Sequence, residues 1–218
     1  MTVSTNDILS KVWAKELRER IAPHRAMSDI GPLGLRTSDT VYLSIVDRDQ
    51  TSVSFINSIF DSFGSGIFCP TTGVMFQNRG HSFTLDESHP NCIGPGKRAM
   101  HTIMPGMMTK DDKTRMAFGV MGGDYQPFGH CRLVSNLVDF NLDLQASIDM
   151  PRVFATGTSV EGEHSLPVAT IRGLTERGHA LHMASSALGG AQAIMIDHHR
   201  GVLSGGSDPR KDGCALGF

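Results

Sequence analysis

A change of texture at residue 40 constrains this chain more than any other feature of its sequence. From Pro23 to Asp39 there is no hydrophobic periodicity, and Pro23, Gly31, Pro32, Gly34, Thr37 and Ser38 mark a loose connector. From Thr40 onward Val41, Leu43 and Ile45 alternate with Tyr42 and Ser44. Val53, Phe55 and Ile59 follow after Asp47-Arg48-Asp49-Gln50. Apolar residues at period two on both sides of a short polar segment predict two strands joined by a tight turn. Upstream, Ile8, Leu9, Val12, Trp13, Leu17 and Ile21 fall at helical spacing, so residues 6–22 read as an amphipathic helix capped by Asn6 or Asp7. The chain therefore divides into a prefix, residues 1–39, and a body, residues 40–218. Spacing alone leaves two readings of the prefix open: a helix on a linker, or a separate piece ending at a processing site.

The body is mixed. Gly64-Ser65-Gly66 reads as a loop, residues 73–76 as a short apolar strand, and residues 84–99 as a long loop broken by Pro90 and Pro95. Residues 116–121 form a buried strand running into Gly122-Gly123. Leu133, Leu137, Phe140, Leu144 and Ile148 share one stripe, predicting a single helix over 130–148 that Pro151 stops. Residues 168–178 read as a further helix ending at Gly178, and 193–196 with 201–203 as a closing hairpin. Strands cluster and helices follow, which predicts a layered α+β (α/β) fold without internal repeats.

Composition removes several function classes. At 218 residues the chain makes one good-sized domain or part of a larger one. Lys+Arg 20 against Asp+Glu 22 leaves no electrostatic footprint for nucleic acid. No apolar run reaches the roughly 20 residues of a membrane span. The four cysteines form no Cys-x-x-Cys pair, and His198-His199 and the other histidines lack ligand spacing, so neither a metal nor another cofactor is expected. Gly64-Ser65-Gly66 lacks the lysine of a phosphate-binding loop. Asp208-Pro209-Arg210 reads as a turn locked by an ion pair. Trp13 to Arg20 is charged where a signal peptide would be apolar. The cytoplasm is thus the default, although a chain without its natural N-terminus would lack such a peptide too.

Four stretches, taken in order, carry a resemblance. They are Ser38-Asp39-Thr40-Val41-Tyr42-Leu43-Ser44-Ile45-Val46-Asp47, Phe63-Gly64-Ser65-Gly66-Ile67, Gly119-Val120-Met121-Gly122-Gly123 and Gly206-Ser207-Asp208-Pro209-Arg210. Together they resemble the small catalytic subunit of gamma-glutamyltranspeptidases, and Pro95-Gly96-Lys97-Arg98 with Met104-Pro105 fits the same register. The resemblance covers essentially the whole chain, with residues 1–39 similar to the tail of the large subunit. It implies the four-layer αββα sandwich of N-terminal-nucleophile hydrolases, only part of which this chain holds. It also implies an amide-bond hydrolase or acyl-transferase of glutathione-metabolism type, made by a precursor that cuts itself between Asp39 and Thr40. A threonine hydroxyl is a weak nucleophile and needs a base within reach. Cleavage would give Thr40 a free α-amine, of ordinary pKa about 7.7–8.0, on the same residue.

Residue by residue, the resemblance puts the oxyanion hole at Gly122 and Gly123, where side chains would obstruct the approach of backbone N–H groups to a developing negative charge. Taken alone, that pair reads as a tight turn after a strand. Ser58 falls where the family has a threonine hydroxyl beside the nucleophile; alone, it is a polar residue on a strand. The substrate-binding positions depart from the family. Phe60, Arg79 and Ser82 stand for its asparagine, glutamine and aspartate, and His101-Thr102 stands for its Ser-Ser pair. An amino acid bound there would keep unpaired polar groups, at roughly 1–3 kcal/mol each. A different acyl amide is expected, a dicarboxylic chain whose distal carboxylate meets Arg79, as in the related glutaryl-type acylases. The resemblance further implies a large subunit as partner, either a separate chain or a missing N-terminal part. The alternative is a non-catalytic fragment or assembly subunit that never cleaves.

Overall fold

The structure is a computed structural model and describes residues 4–27, 40–157 and 159–218. The connector from 28 to 39, with Asp39 of the expected cleavage site, lies outside these residues.

Two strands open the body, as their alternation predicts. β1 (Thr40–Val46) pairs antiparallel with β2 (Ser52–Ser58), from Thr40 opposite Ser58 to Val46 opposite Ser52. Asp47 folds the turn by accepting hydrogen bonds on Oδ1 from the N–H groups of Asp49 and Thr51, at 2.9 and 2.8 Å. The polarity of the pair is inverted. Tyr42, Ser44 and Ser54 face inward, whereas Val41, Leu43, Ile45, Val53 and Phe55 are exposed.

The inner face rests on a second sheet. β3 (Gly106–Lys110), β4 (Lys113–Met121), β8 (Gly190–Asp197) and β9 (Val202–Ser207) lie in the order β3-β4-β8-β9, each pair antiparallel. Tyr42 lies flat on Gly119, where an added Cβ would come within 2.3 Å of the ring. Its hydroxyl meets Ser54 Oγ at 2.8 Å, and Ser54 Oγ donates to the Phe118 carbonyl at 3.3 Å. Burial, opposed by hydrogen bonds to Ser54 and Ser44, pushes the Tyr42 phenol up to about 12, so it stays a donor at neutral pH.

On the other side of β4, Met116, Phe118 and Val120 join Leu133 of α3 (Gln126–Val138) and Leu144 and Ile148 of α4 (Leu144–Asp149) in the core. The order hairpin, sheet, helices supplies three of the four sandwich layers. A helical layer over the exposed face of β1 and β2 is not among the described residues. A third sheet holds β5 (Val153–Thr156), β6 (Ser159–Gly162) and β7 (Ala180–Met183); α5 (Val168–Glu176) connects the parallel strands β6 and β7.

Several boundaries differ from the sequence reading, each for a local reason. The helix expected over 6–22 is two, α1 (Thr5–Ile8) and α2 (Lys11–Glu19), because Ser10 takes an extended conformation and caps α2 through its hydroxyl. Ser4, and not Asn6 or Asp7, caps α1. The helix expected over 130–148 breaks at 139–143, where Asn141 takes φ 52° and Asp143 caps α4 by accepting from Ala146 N at 2.9 Å. Residues 73–76 form a single bridge, Phe68 to Met75, around a turn at Gly73. The helix ending at Gly178 and the closing hairpin are found as expected.

The Asp208-Pro209-Arg210 turn belongs to a buried cluster of four charges. Arg152 Nη2 lies 2.5 Å from Asp208 Oδ2, Arg210 Nη1 lies 3.1 Å from Asp208 Oδ1, and Arg210 grips Glu163 at 2.8 and 2.9 Å. Burial alone would raise the Asp208 carboxyl. Arg152 and the N–H groups of Arg210 and Ala191 outweigh it, so the pKa falls below the ordinary value. A depressed carboxylate stabilises the fold fully above its unfolded pKa of about 3.9, and that stability is lost as pH falls through the lower folded value. Asp208→Asn should cost about 3–5 kcal/mol at neutral pH, because it leaves Arg152 buried without its partner. Denaturant unfolding measured between pH 7 and pH 2 should show the gap from wild type closing towards acid; a constant gap would contradict this assignment.

Candidate active site

The two halves of the expected catalytic group lie toward the same end of the sandwich. The Ser44–Ser54 rung of the hairpin lies on Phe118 and the Tyr42 ring on Gly119, so β1 runs antiparallel to β4. Its next rung back, Thr40 opposite Ser58, therefore points to the end of β4 at which Gly122 and Gly123 turn the chain into α3. Thr40 and Ser58 face each other across the ladder, and the Ser58 hydroxyl accepts from Phe60 N at 3.0 Å. Gly122 takes φ 124° and Gly123 takes φ 56°, conformations that favour glycine. A Cβ at Gly122 would sit 2.8 Å from Gly189 Cα, so the turn has no room for a side chain.

Beyond Ser58 the chain bends at Phe60, a buried residue with φ 82°. Asn78 stitches this bend to the turn carrying Arg79: its Nδ2 donates to Asp61 Oδ2 at 2.6 Å and its Oδ1 accepts from Asp61 N at 3.0 Å. The Arg79 guanidinium consequently lies 5.0 Å from the centre of the Phe60 ring, a cation–π contact. Its Nη1 donates to Thr102 Oγ1 at 3.0 Å, and both residues are 5% exposed. Its Nη2 is buried without a hydrogen-bond partner among the described residues. Burial pulls the pKa of Arg79 below its ordinary value, yet an arginine stays charged. A buried cation with an unused donor is costly unless an anion comes to it.

The remaining expected residues lie around this core. His101 is exposed at its surface, but partial desolvation of its ring, then the charges of Arg79 and Arg98, hold its imidazole below the ordinary value. Ser82 is half-buried at the end of the Arg79 turn, and its carbonyl accepts from Asn91 Nδ2 at 2.6 Å, tying the turn to the long loop. Met104 N donates to Gln126 Oε1 at 3.1 Å, which links the 101–104 segment to the start of α3 just past Gly123. Gln126 and Gly189 are two residues that sequence reasoning did not single out. The only signal for Gly189 was its place in Gly189-Gly190 ahead of a strand. A cavity of about 1090 Å³ is lined by β1 from Tyr42 onward, by the β8–β9 hairpin and by residues 213–218; Thr40, Ser58 and the glycine turn do not line it. Among the described residues no group of three or more His, Cys, Asp or Glu is placed to hold a metal ion.

Comparison with known proteins extends the geometry. A family model described as gamma-glutamyltranspeptidase matches residues 1–218. The chain is 36% identical over 220 residues to a glutathione hydrolase-like YwrD proenzyme of Bacillus subtilis, covering 97% of this chain and 41% of that protein. It is 38% identical over 194 residues to an oxamate amidohydrolase proenzyme of Klebsiella pneumoniae, covering 85% of this chain and 37% of that protein. The chain thus spans about two-fifths of the length of these relatives. Among solved structures, a cephalosporin acylase from Bacillus halodurans superposes with a TM-score of 0.88 at 43% identity, covering 98% of this chain and 39% of that one. A gamma-glutamyltranspeptidase from Pseudomonas nitroreducens complexed with L-DON shares the fold, with a TM-score of 0.74 at 24% identity over 81% of this chain and 98% of that one. With the family match running from the first residue to the last, the chain belongs to the gamma-glutamyltranspeptidase family.

Proposed function

We propose that residues 40–218 are the nucleophile-bearing part of an amidohydrolase or acylase, released from the 1–39 tail by cleavage between Asp39 and Thr40, and that its acyl substrate carries a second carboxylate. The observation that carries this reading is the placement of Thr40, Ser58 and the Gly122-Gly123 turn toward one end of the sandwich, together with Arg79 against the Phe60 ring, its Nη2 without a partner among the described residues. Relatives named as proenzymes and as acylases support it.

The chemistry follows from the groups present. After cleavage the Thr40 α-amine takes the hydroxyl proton as Oγ attacks the amide carbon. The carbonyl oxygen gains negative charge, which the backbone N–H groups of the glycine turn stabilise. The carbon–nitrogen bond then breaks, the amine leaves with that proton, and Thr40 holds the acyl group as an ester. Water, deprotonated by the same amine, releases the acid; an amine acceptor attacking the ester would give transfer instead. Arg79, facing an acyl chain that enters past Phe60, selects a carboxylate. Oxamate, named for one relative, is an amide with such a carboxylate beside it. The exposed apolar face of β1 and β2 supports a large-subunit portion as partner, since a row of five such side chains marks a surface made to be covered.

Three outcomes follow. Intact mass of the chain assembled with its large-subunit portion should show a product starting at Thr40, and Thr40→Ala should stay whole. A wild-type assembly that remained uncut would favour the inactive-fragment reading. On anilide substrates, glutaryl or adipyl should outrun γ-glutamyl, and Arg79→Met should lower kcat/KM for the carboxylate-bearing anilides about 10- to 100-fold, the worth of a charge-assisted bond, while sparing butyryl anilide. A γ-glutamyl anilide preferred by far would overturn the role of Arg79. NMR titration of His101 should give a midpoint below about 6.5 that rises in Arg79→Met as one repelling charge is removed; an unmoved midpoint would place Arg79 elsewhere.

A further inference from the structure

We infer that the buried charge cluster of Arg152, Glu163 and Asp208 is a positioning device for the Gly122-Gly123 turn, acting through the backbone of residues 188–191. The inference rests on reading that turn as the oxyanion hole.

Two glycines interlock behind the turn. Gly189 takes φ 70°, and a Cβ there would lie 2.4 Å from the Met121 carbonyl oxygen. A Cβ at Gly122 would in turn lie 2.8 Å from Gly189 Cα. Backbone thus touches backbone with no side chain between, and a shift of the 188–191 segment passes directly to the peptide planes at 122 and 123. Charged side chains fix that segment at three points. Leu188 N donates to Glu163 Oε1 at 3.2 Å, the Leu188 carbonyl accepts from Arg152 Nη1 at 2.9 Å, and Ala191 N donates to Asp208 Oδ2 at 2.8 Å. The anchors bracket Gly189 and Gly190 on both sides. Hydrophobic packing alone would leave two adjacent glycines, the most mobile of residues, as the rear wall of the turn. The cluster replaces that freedom with directional bonds in a water-poor interior, where they are held firmly. Stabilising an oxyanion depends on donors fixed before the charge arrives.

Arg210 supplies an internal control. It bonds Glu163, Asp208 and the carbonyls of Ile148, Asp149 and Met150, and makes no hydrogen bond to residues 188–191. In the cleaved, active assembly, Arg152→Lys and Arg210→Lys both keep the charge and lose guanidinium bonds, but only the first frees the Leu188 carbonyl. Arg152→Lys should lower kcat about tenfold or more with KM within about twofold, since loosening a preorganised group acts on the transition state. Arg210→Lys should lower Tm by a similar amount with kcat within about twofold of wild type. Loss of kcat in step with Tm in both variants, or an intact kcat in Arg152→Lys, would overturn the inference. If Arg152→Lys does not fold, Glu163→Gln must show the same split of kcat from KM, and an intact kcat there overturns it equally. A wild-type assembly that turns over without acylating Thr40 would remove the functional reading itself, an outcome distinct from the failure of the positioning role.

Discussion

The site depends on how a polar strand face lies on a sheet. β1 and β2 present tyrosine and serine inward, and what lets them seat on β4 is the missing side chain at Gly119, on which the Tyr42 ring rests. The ring is held by its own hydroxyl through Ser54, and Ser54 reaches on to the Phe118 carbonyl, so the contact fixes register as well as distance. A methyl group at residue 119 would have to displace that ring, at about 1–3 kcal/mol by the usual cost of overpacking. Because the side-chain period of a strand is two, one residue of slip would turn the whole inner face outward. That Thr40 lies toward the Gly122 end of β4 follows from this one contact.

The polarity of the hairpin also bears on how its outer face is used. An isolated hairpin would bury Val41, Leu43, Ile45, Val53 and Phe55 and expose its serines; this one does the reverse. Such a pair makes sense as an inner layer, with polar residues towards a sheet that carries chemistry and apolar residues towards a further layer. The chain spans about two-fifths of the length of the relatives it matches. Behind the site the logic differs. A four-charge cluster costs desolvation and is weak evidence for stability, but its bonds have direction, and direction is what a wall of two glycines needs.

Much of this was legible in the residues. The alternation after Thr40 gave the hairpin, and the apolar run ahead of Gly122-Gly123 gave the central strand. The stripe from Leu133 to Ile148 misled, because its spacing continues through Asp139 to Asp143, where an Asx cap and a left-handed Asn141 end one helix and begin another. Strands β3, β5, β6 and β7 are only four or five residues long and offer too few alternations to read. At the site, the motif residues could be picked out by family likeness, and the strand register could not. That Arg79 has an aromatic neighbour and, among the described residues, no carboxylate paired with it is a fact of the fold, since Phe60 and Thr102 lie far from it in the chain. The same holds for the pairing of Asp208 with Arg152, 56 residues apart; local sequence shows only the Arg210 half of that cluster.

The central claim is that one side chain, equipped with its own amine by a chain break, carries the acyl group between donor and acceptor. It is tested most directly by mixing the assembled enzyme with excess glutaryl anilide, quenching in acid during turnover and mapping the acylated peptide by mass spectrometry. The account predicts a glutaryl increment confined to the peptide that begins at Thr40, formed and lost at rates that match turnover. A label on Ser58 or elsewhere, or turnover with no acylated peptide, would contradict it.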